Sequence, residues 1–230
     1  AAACWPTHGH RTLNLAQRFT LQRLRADLAE DGLFAVNGPP GTGKTTLIRE
    51  LAADLVTQRA RAMTRFRDPE RAFADGIPPE ITGYEMTVCT QSNRAAQRVS
   101  VELPRTGEVD PLYAGEIGLF RCVRTQVASA YADVADVDLG DIWGTFALPL
   151  GRHKLRKACA QALWPDPRPA RRAGNWTLGR LFFQDFEEGE ADLPEVADWE
   201  TACARFRAAE AAVGLETEKA RCAYRVVYDE

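Results

Sequence analysis

The sequence from Gly38 to Thr46 reads GPPGTGKTT and fits the pattern G-x-x-x-x-G-K-[ST] at every fixed position. Glycines in this pattern let the backbone turn tightly, so that successive N–H groups point at a phosphate. The lysine reaches the β- and γ-phosphates of a nucleotide, and the next hydroxyl binds Mg²⁺. A glycine-rich turn that binds nothing would explain the glycines but not the Lys44-Thr45 pair. We therefore predict a phosphate-binding loop.

The predicted nucleotide-binding residues of this loop are Gly38, Pro39, Pro40, Gly41, Thr42, Gly43, Lys44, Thr45 and Thr46. Among them, Lys44 and Thr45 are the predicted catalytic residues, and Thr45 is also the predicted Mg²⁺ ligand. ATP and Mg²⁺ are the expected cofactors.

Apolar segments flank the loop in an alternating order. Residues 33–36 and 85–90 have the composition of strands, whereas residues 13–28, 46–56 and 92–103 have helical spacing, the first with Asn14 as its N-cap. Such alternation predicts a parallel sheet with right-handed crossovers. The predicted fold is therefore an α/β P-loop NTPase with a parallel sheet.

Strand signals fade beyond Pro104, and the rest of the sequence is mainly helical in pattern. We therefore divide the chain into an ATP-binding part, residues 1–103, and a helical insertion or arm, residues 104–230. Near the end, one apolar stripe predicts a helix that packs on a partner helix. The stripe consists of Trp199, Ala202, Phe206, Ala209 and Val213.

The composition is that of a globular protein, with 45% hydrophobic and 27% charged residues among 230. No apolar run approaches the roughly 18–20 residues that span a bilayer, and the first residues do not form a secretion signal. We therefore expect a cytoplasmic protein. Six scattered cysteines lack a C-x-x-C pair, which predicts free thiols, mostly buried. A metal site of Cys4, His8 and His10 lacks a fourth ligand.

The net charge is −3, but the basic and acidic residues are unevenly distributed along the sequence. Residues 152–180 contain eight basic side chains and one acidic side chain, Asp166, with Trp164 and Trp176 interleaved. Residues 181–230 contain thirteen acidic and five basic side chains. The basic segment is either an ordinary solvated surface or a track for a phosphate backbone beside stacking aromatic rings.

Three further segments resemble a known family. LNLAQ, residues 13–17, resembles the Q motif of superfamily 1 helicases, and CTQSNRAAQRV, residues 89–99, resembles their motif Ia. DPERAF, residues 68–73, is similar to an element of bacterial relatives of the nonsense-mediated decay helicase. The resemblance is specific over residues 13–99 and weaker over 139–213. It implies that the parallel sheet is RecA-like and carries a largely helical insertion.

This resemblance implies roles for four residues outside the loop. Gln17 would select ATP, because its amide matches the N6/N7 edge of adenine. A phosphate of single-stranded DNA or RNA would be bound by Thr90, Ser92 and Asn93. The alternatives are an exposed helical glutamine for Gln17 and a plain N-cap for Ser92. The expected partners are the nucleic acid, a second RecA-like domain outside this chain and a helix packed on the arm.

Hydrolysis also needs an acidic pair and a charge-stabilising arginine. Asp229-Glu230 follows the strand-like residues 225–228, but its position behind the helical stripe favours the end of the insertion. We therefore expect the chain alone to bind ATP with little turnover. The same loop is also compatible with two other functions: a P-loop ATPase of the AAA+ kind and a nucleotide-binding interaction module.

Overall fold

The fold is described by a computed structural model that covers residues 3–9, 12–28, 31–39, 41–103, 105–116, 147–148, 150–163 and 198–228. Its α-helices are α1 Leu15–Asp27, α2 Lys44–Met63, α3 Pro69–Phe73, α4 Asn93–Glu102, α5 His153–Leu163 and α6 Trp199–Tyr228. Three short 3₁₀ helices span Pro79–Ile81, Thr106–Glu108 and Pro111–Glu116.

The described residues contain no β-strand, so the predicted α/β fold with a RecA-like parallel sheet is wrong for them. Residues 33–36 and 84–90 have no regular secondary structure. Leu33 is 97% exposed and Val36 is 39% exposed, so the first segment has no buried face. A strand forms only where a neighbouring strand accepts its backbone hydrogen bonds and packs against its side chains, and composition alone does not supply either.

The helix starts follow the sequence closely. Asn14 Oδ1 accepts a hydrogen bond from the Gln17 N–H, and Gln17 Oε1 accepts one from the Asn14 N–H, each 2.9 Å long. This reciprocal capping box begins α1. Ser92 Oγ accepts a bond of 3.2 Å from the Ala95 N–H and begins α4. The predictions of Asn14 as an N-cap and of a helix starting at Ser92-Asn93 are confirmed.

Asp198 caps α6 in the same way. Its carboxylate accepts hydrogen bonds from the backbone N–H and the hydroxyl of Thr201, both 2.8 Å long. These bonds lower the pKa of the Asp198 carboxyl below its ordinary value. Because the ionised form is the one that caps, this contribution to stability is present above the ordinary pKa and is lost as the pH falls through the lowered pKa.

The chain forms two compact units. The first comprises Ala1–Trp5, Thr46–Met86 and Glu195–Glu230, and the second comprises Pro6–Thr45 and Thr87–Pro194. The division at residue 103 that the sequence suggests stays a prediction.

In the first unit, α6 packs antiparallel to the end of α2. Trp199 Nε1 donates to the Phe66 carbonyl at 2.9 Å, whereas Glu210, three turns later, binds Arg61 at 2.6 Å. This contact lies within the chain, so a separate helical partner for the arm stays a prediction. The contact face differs in part from the predicted stripe, since Trp199 belongs to both, but Cys203 is buried and Val213 is 49% exposed.

The core of the first unit includes Ile81, which is only 1% exposed, together with Trp5 and Ala62. Glu50 is buried as well, and its carboxylate accepts a hydrogen bond of 3.1 Å from the Trp5 N–H. The core of the second unit includes Leu21, Leu103, Val109 and Leu155. Each unit therefore buries apolar side chains of its own.

Cys4, Cys89, Cys203 and Cys222 are free thiols. Only Cys203 is buried, so the expectation of mostly buried thiols is wrong for these four. In the described ranges, no three or more His, Cys, Asp or Glu side chains are grouped so as to hold a metal ion, and His10 lies outside those ranges. Across the same ranges, no helix combines the length and apolar character needed to cross a membrane.

Candidate functional site

The loop before α2 depends on glycine at three positions. Gly41 and Gly43 have φ of 82° and 81°, in the left-handed region that side chains disfavour. At Gly38 the reason is space, because an added Cβ would lie 2.7 Å from Thr42 Oγ1. The backbone conformation therefore requires glycine at positions 41 and 43, and the position of the Thr42 side chain favours it at position 38.

A side chain closes the turn within the loop. Thr42 Oγ1 donates a hydrogen bond of 2.9 Å to the Pro39 carbonyl, and the Thr42 N–H donates a longer one of 3.4 Å to the same oxygen. Pro40, which the sequence also predicts to bind nucleotide, lies outside the described residues.

Lys44 is the first residue of α2, and its side chain turns back over the loop. Its Nζ donates to the Gly38 carbonyl at 2.6 Å and to the Pro39 carbonyl at 2.8 Å. The ammonium group is thus held against the loop backbone, where a phosphate bound by the loop would meet it. An ammonium bonded to phosphate oxygens forms charge-assisted hydrogen bonds, which are stronger than those to neutral carbonyls.

The loop and the start of α2 fit a nucleotide phosphate chain with Mg²⁺. α2 is 20 residues long and has no acidic residue in its first turn, so its positive end is not neutralised there. An added Cβ at Gly41 would meet no atom within 4 Å, which leaves open space beside the backbone. Thr45 is exposed and Thr46 half-buried in that first turn. Because Mg²⁺ is typically held by a few protein oxygens plus phosphates, the Thr45 hydroxyl is a suitable ligand.

Gln17 lies at the loop, although 25 residues separate it from Thr42. Its Nε2 donates a hydrogen bond of 3.0 Å to the Thr42 carbonyl. Its Oε1 accepts the capping bond from the Asn14 N–H described above. An amide NH₂ has two hydrogens and an amide oxygen two lone pairs, so each atom keeps one position for a further partner. Both positions are needed for an adenine edge.

Asn14 belongs to this site although the sequence marked it only as a helix cap. It orients Gln17 through two reciprocal hydrogen bonds. The pattern Asn-x-x-Gln at the start of a helix was the available signal, because it is typical of a capping box.

The residues of the motif Ia resemblance contact one another. Thr90 Oγ1 donates to the Ser92 carbonyl at 2.6 Å, and Ser92 Oγ caps α4. Asn93 lies beside Gly151, where an added Cβ would be 3.2 Å from Asn93 Oδ1. The capping function of Ser92 is therefore observed, and a contact of these three residues with nucleic acid stays a prediction.

Other predicted features fall partly or wholly outside the described residues. Residues 225–228 belong to α6 and are helical, whereas Asp229-Glu230 is outside the described ranges. Trp164, Trp176 and the basic residues from Arg168 onward are outside them too.

Comparison with known families agrees with the loop geometry. Residues 12–138, more than half of the chain, match the family model of the AAA domain, the type found in superfamily 1 helicases. Domains of this family are P-loop domains that generally bind ATP with Mg²⁺. Searches of curated proteins and of solved structures found no significant match.

Proposed function

Because the chain belongs to the AAA domain family, we propose that it is the ATP-binding part of an ATP-dependent helicase or translocase acting on single-stranded DNA or RNA. The observation that carries the proposal is the hydrogen bond from Gln17 to the Thr42 carbonyl. It joins the segment that resembles the Q motif of helicases to the phosphate-binding loop. We further propose that the protein belongs to the branch of the nonsense-mediated decay helicase.

The proposed roles follow from the geometry of the loop. The loop N–H groups and Lys44 would bind the phosphates, and the Thr45 hydroxyl would hold Mg²⁺, which supplies charge neutralisation at the phosphates. Gln17 would bind the adenine edge through the free hydrogen of Nε2 and the free lone pair of Oε1. These groups stabilise the bound ATP and the transition state of hydrolysis to a similar extent. By themselves they therefore accelerate hydrolysis little.

A second motor domain, outside this chain, is proposed to supply the arginine that completes the catalytic set. We expect the 230-residue chain to bind ATP but to release phosphate near the background rate, even with saturating single-stranded oligonucleotide. A longer chain that includes the second domain should show release stimulated by the oligonucleotide. A phosphate-release assay on both chains, with Lys44→Ala as the inactive control, measures this difference.

Two outcomes would contradict this assignment. Release by the longer chain that is independent of nucleic acid would favour an ATPase of the AAA+ kind. Brisk release by the 230-residue chain that is lost on Glu230→Gln would instead identify Asp229-Glu230 as the acidic pair.

The role of Gln17 is tested by comparing two substitutions. Gln17→Ala removes the capping acceptor, the donor to Thr42 and the adenine partner together. Gln17→Glu keeps an acceptor for the Asn14 N–H but cannot donate to the Thr42 carbonyl or to adenine. We expect both variants to lose up to about 10-fold in ATP affinity relative to GTP, since one to two hydrogen bonds are lost. Calorimetric titration with both nucleotides measures this ratio.

Thermal unfolding separates the capping role of Gln17 from its binding role, because only Gln17→Ala should lower Tm appreciably. Equal affinity of the unsubstituted protein for ATP and GTP would remove the adenine role and leave Gln17 as a support for the loop.

A further inference from the structure

The two halves of α6 have different surroundings. The first half is held against the end of α2 by Glu210 and by Arg207, whose Nη2 donates to the Thr64 carbonyl at 2.6 Å. Beyond Glu210, every residue from 211 to 222 is exposed. The helix nevertheless continues to Tyr228. This second half is therefore about 27 Å long, from a rise of about 1.5 Å per residue, and within the described ranges nothing covers residues 211–222.

An uncovered helix of this composition is expected to have a partner. Most of the stability of a protein helix comes from the packing of its apolar face rather than from the propensities of its residues. Gly214 lowers the propensity of this half, and a Cβ added to it would meet no atom within 4 Å. Val213 is 49% exposed, although valine is usually buried. We therefore expect another surface to pack along this half in solution.

One face of the second half is suited to close packing of helices. Its residues recur at spacings of three and four along the sequence, so they lie on one side of the helix. We call this face the α6 seam, and it consists of Ala212, Val213, Glu216, Thr217 and Ala220. Because most of these side chains are small, the axis of a second helix can approach closely.

The charges at the seam occur in an order that complements itself. The acidic Glu216 and Glu218 come first, and the basic Lys219 and Arg221 follow. In an antiparallel pair of identical helices the acidic residues of each helix face the basic residues of the other, whereas a parallel pair would place like charges together. Within one helix the pairs Glu216–Lys219 and Glu218–Arg221 leave these side chains 56–70% exposed. All four charges are therefore accessible to a second helix.

We propose that the α6 seam binds the α6 seam of a second copy of this chain, in an antiparallel pair. A two-fold pair requires a surface that complements itself, and the order of the charges meets this requirement. With the pair centred near Glu218, Glu216 of one copy lies beside Lys219 of the other, and Val213 packs between the two helices. The proposal is independent of the proposed function, because it uses no residue of the nucleotide site.

Sedimentation velocity of the 230-residue chain over a series of protein concentrations tests the proposal. We expect an equilibrium between monomer and dimer. Val213→Glu should weaken the dimer at least about 10-fold, because it buries an unpaired charge in the seam. Leu215→Glu is the matched control on the opposite side of α6, where Leu215 is 59% exposed, and should leave the dimer unchanged. Circular dichroism should show the same helix content in both variants.

Charge reversal separates pairing between copies from pairing within one helix. The Glu216→Lys chain and the Lys219→Glu chain each lose the pair within the helix, and each places like charges together between two identical copies. Each chain alone should therefore dimerise about 10-fold more weakly. An equimolar mixture of the two chains should restore the dimer, because the lysine introduced at position 216 then faces the glutamate introduced at position 219.

Three results would contradict the proposal. An unsubstituted chain that stays monomeric at every concentration would overturn it. Equal weakening by Val213→Glu and Leu215→Glu would overturn it as well, since the loss would then come from the helix itself rather than from the seam. A mixture of the two charge-reversed chains that is as monomeric as each chain alone would exclude the antiparallel pairing.

Discussion

Replacement of Lys44 by alanine should abolish measurable ATP binding to the 230-residue chain, with a loss of affinity of about 100-fold or more. The ammonium group lies 2.6 and 2.8 Å from two loop carbonyls and so is already placed for the phosphates. Removing it deletes charge-assisted hydrogen bonds to the most highly charged part of the ligand, and each is worth about 1.5–3 kcal/mol. Isothermal titration with ATP and Mg²⁺ measures the effect.

Lys219→Ala provides a control with the same chemical change. Lys219 is exposed on α6 and binds Glu216 at 2.7 Å, far along the sequence from the loop. We expect its ATP affinity to equal that of the unsubstituted protein. If Lys44→Ala bound ATP as tightly as the control, the loop would not be the phosphate-binding element, and the proposed function would be contradicted.

Ile81→Ala should lower the free energy of unfolding by about 2–5 kcal/mol, the range measured for alanine replacing a large buried aliphatic side chain. Ile81 is 1% exposed and is the largest fully buried side chain among the described residues. Its loss would leave a cavity in the first compact unit. Chemical denaturation monitored by circular dichroism gives the difference directly.

Ile77 lies four residues before Ile81 and is 65% exposed. Ile77→Ala makes the identical substitution on the surface and should change stability by no more than about 0.5 kcal/mol. Similar losses of stability in the two variants would contradict the placement of the Ile81 side chain in the core.

Features that depend on neighbouring residues were predictable from the sequence. The caps at Asn14 and Ser92 each bond to a backbone group three residues away, so residue type and spacing were sufficient. The loop was recognisable for the same reason, because its glycines and Lys44 act within nine consecutive residues.

Features that depend on distant residues were not predictable in this way. The expected strands required pairing partners that composition does not identify, and the described residues show none. The bond between Gln17 and Thr42 spans 25 residues, and the bond between Arg61 and Glu210 spans 149. Trp199 of the predicted stripe makes its contact, but Cys203 and Glu210 are shielded on α6 in place of Ala202 and Ala209, so the apolar pattern placed part of the contact face one residue away.

The one side-chain amide of Gln17 caps the start of α1 and also supports the nucleotide loop. A mutation at position 17 alters the start of α1 and the support of the loop at once, so selection cannot adjust one without the other. Position 42 is under a different constraint, because Thr42 supplies only its backbone carbonyl to this bond. A substitution at position 42 would keep the carbonyl of this bond but would remove the side-chain bond to Pro39 that closes the turn, whereas a substitution at position 17 would need a compensating change at position 14 to restore the helix terminus.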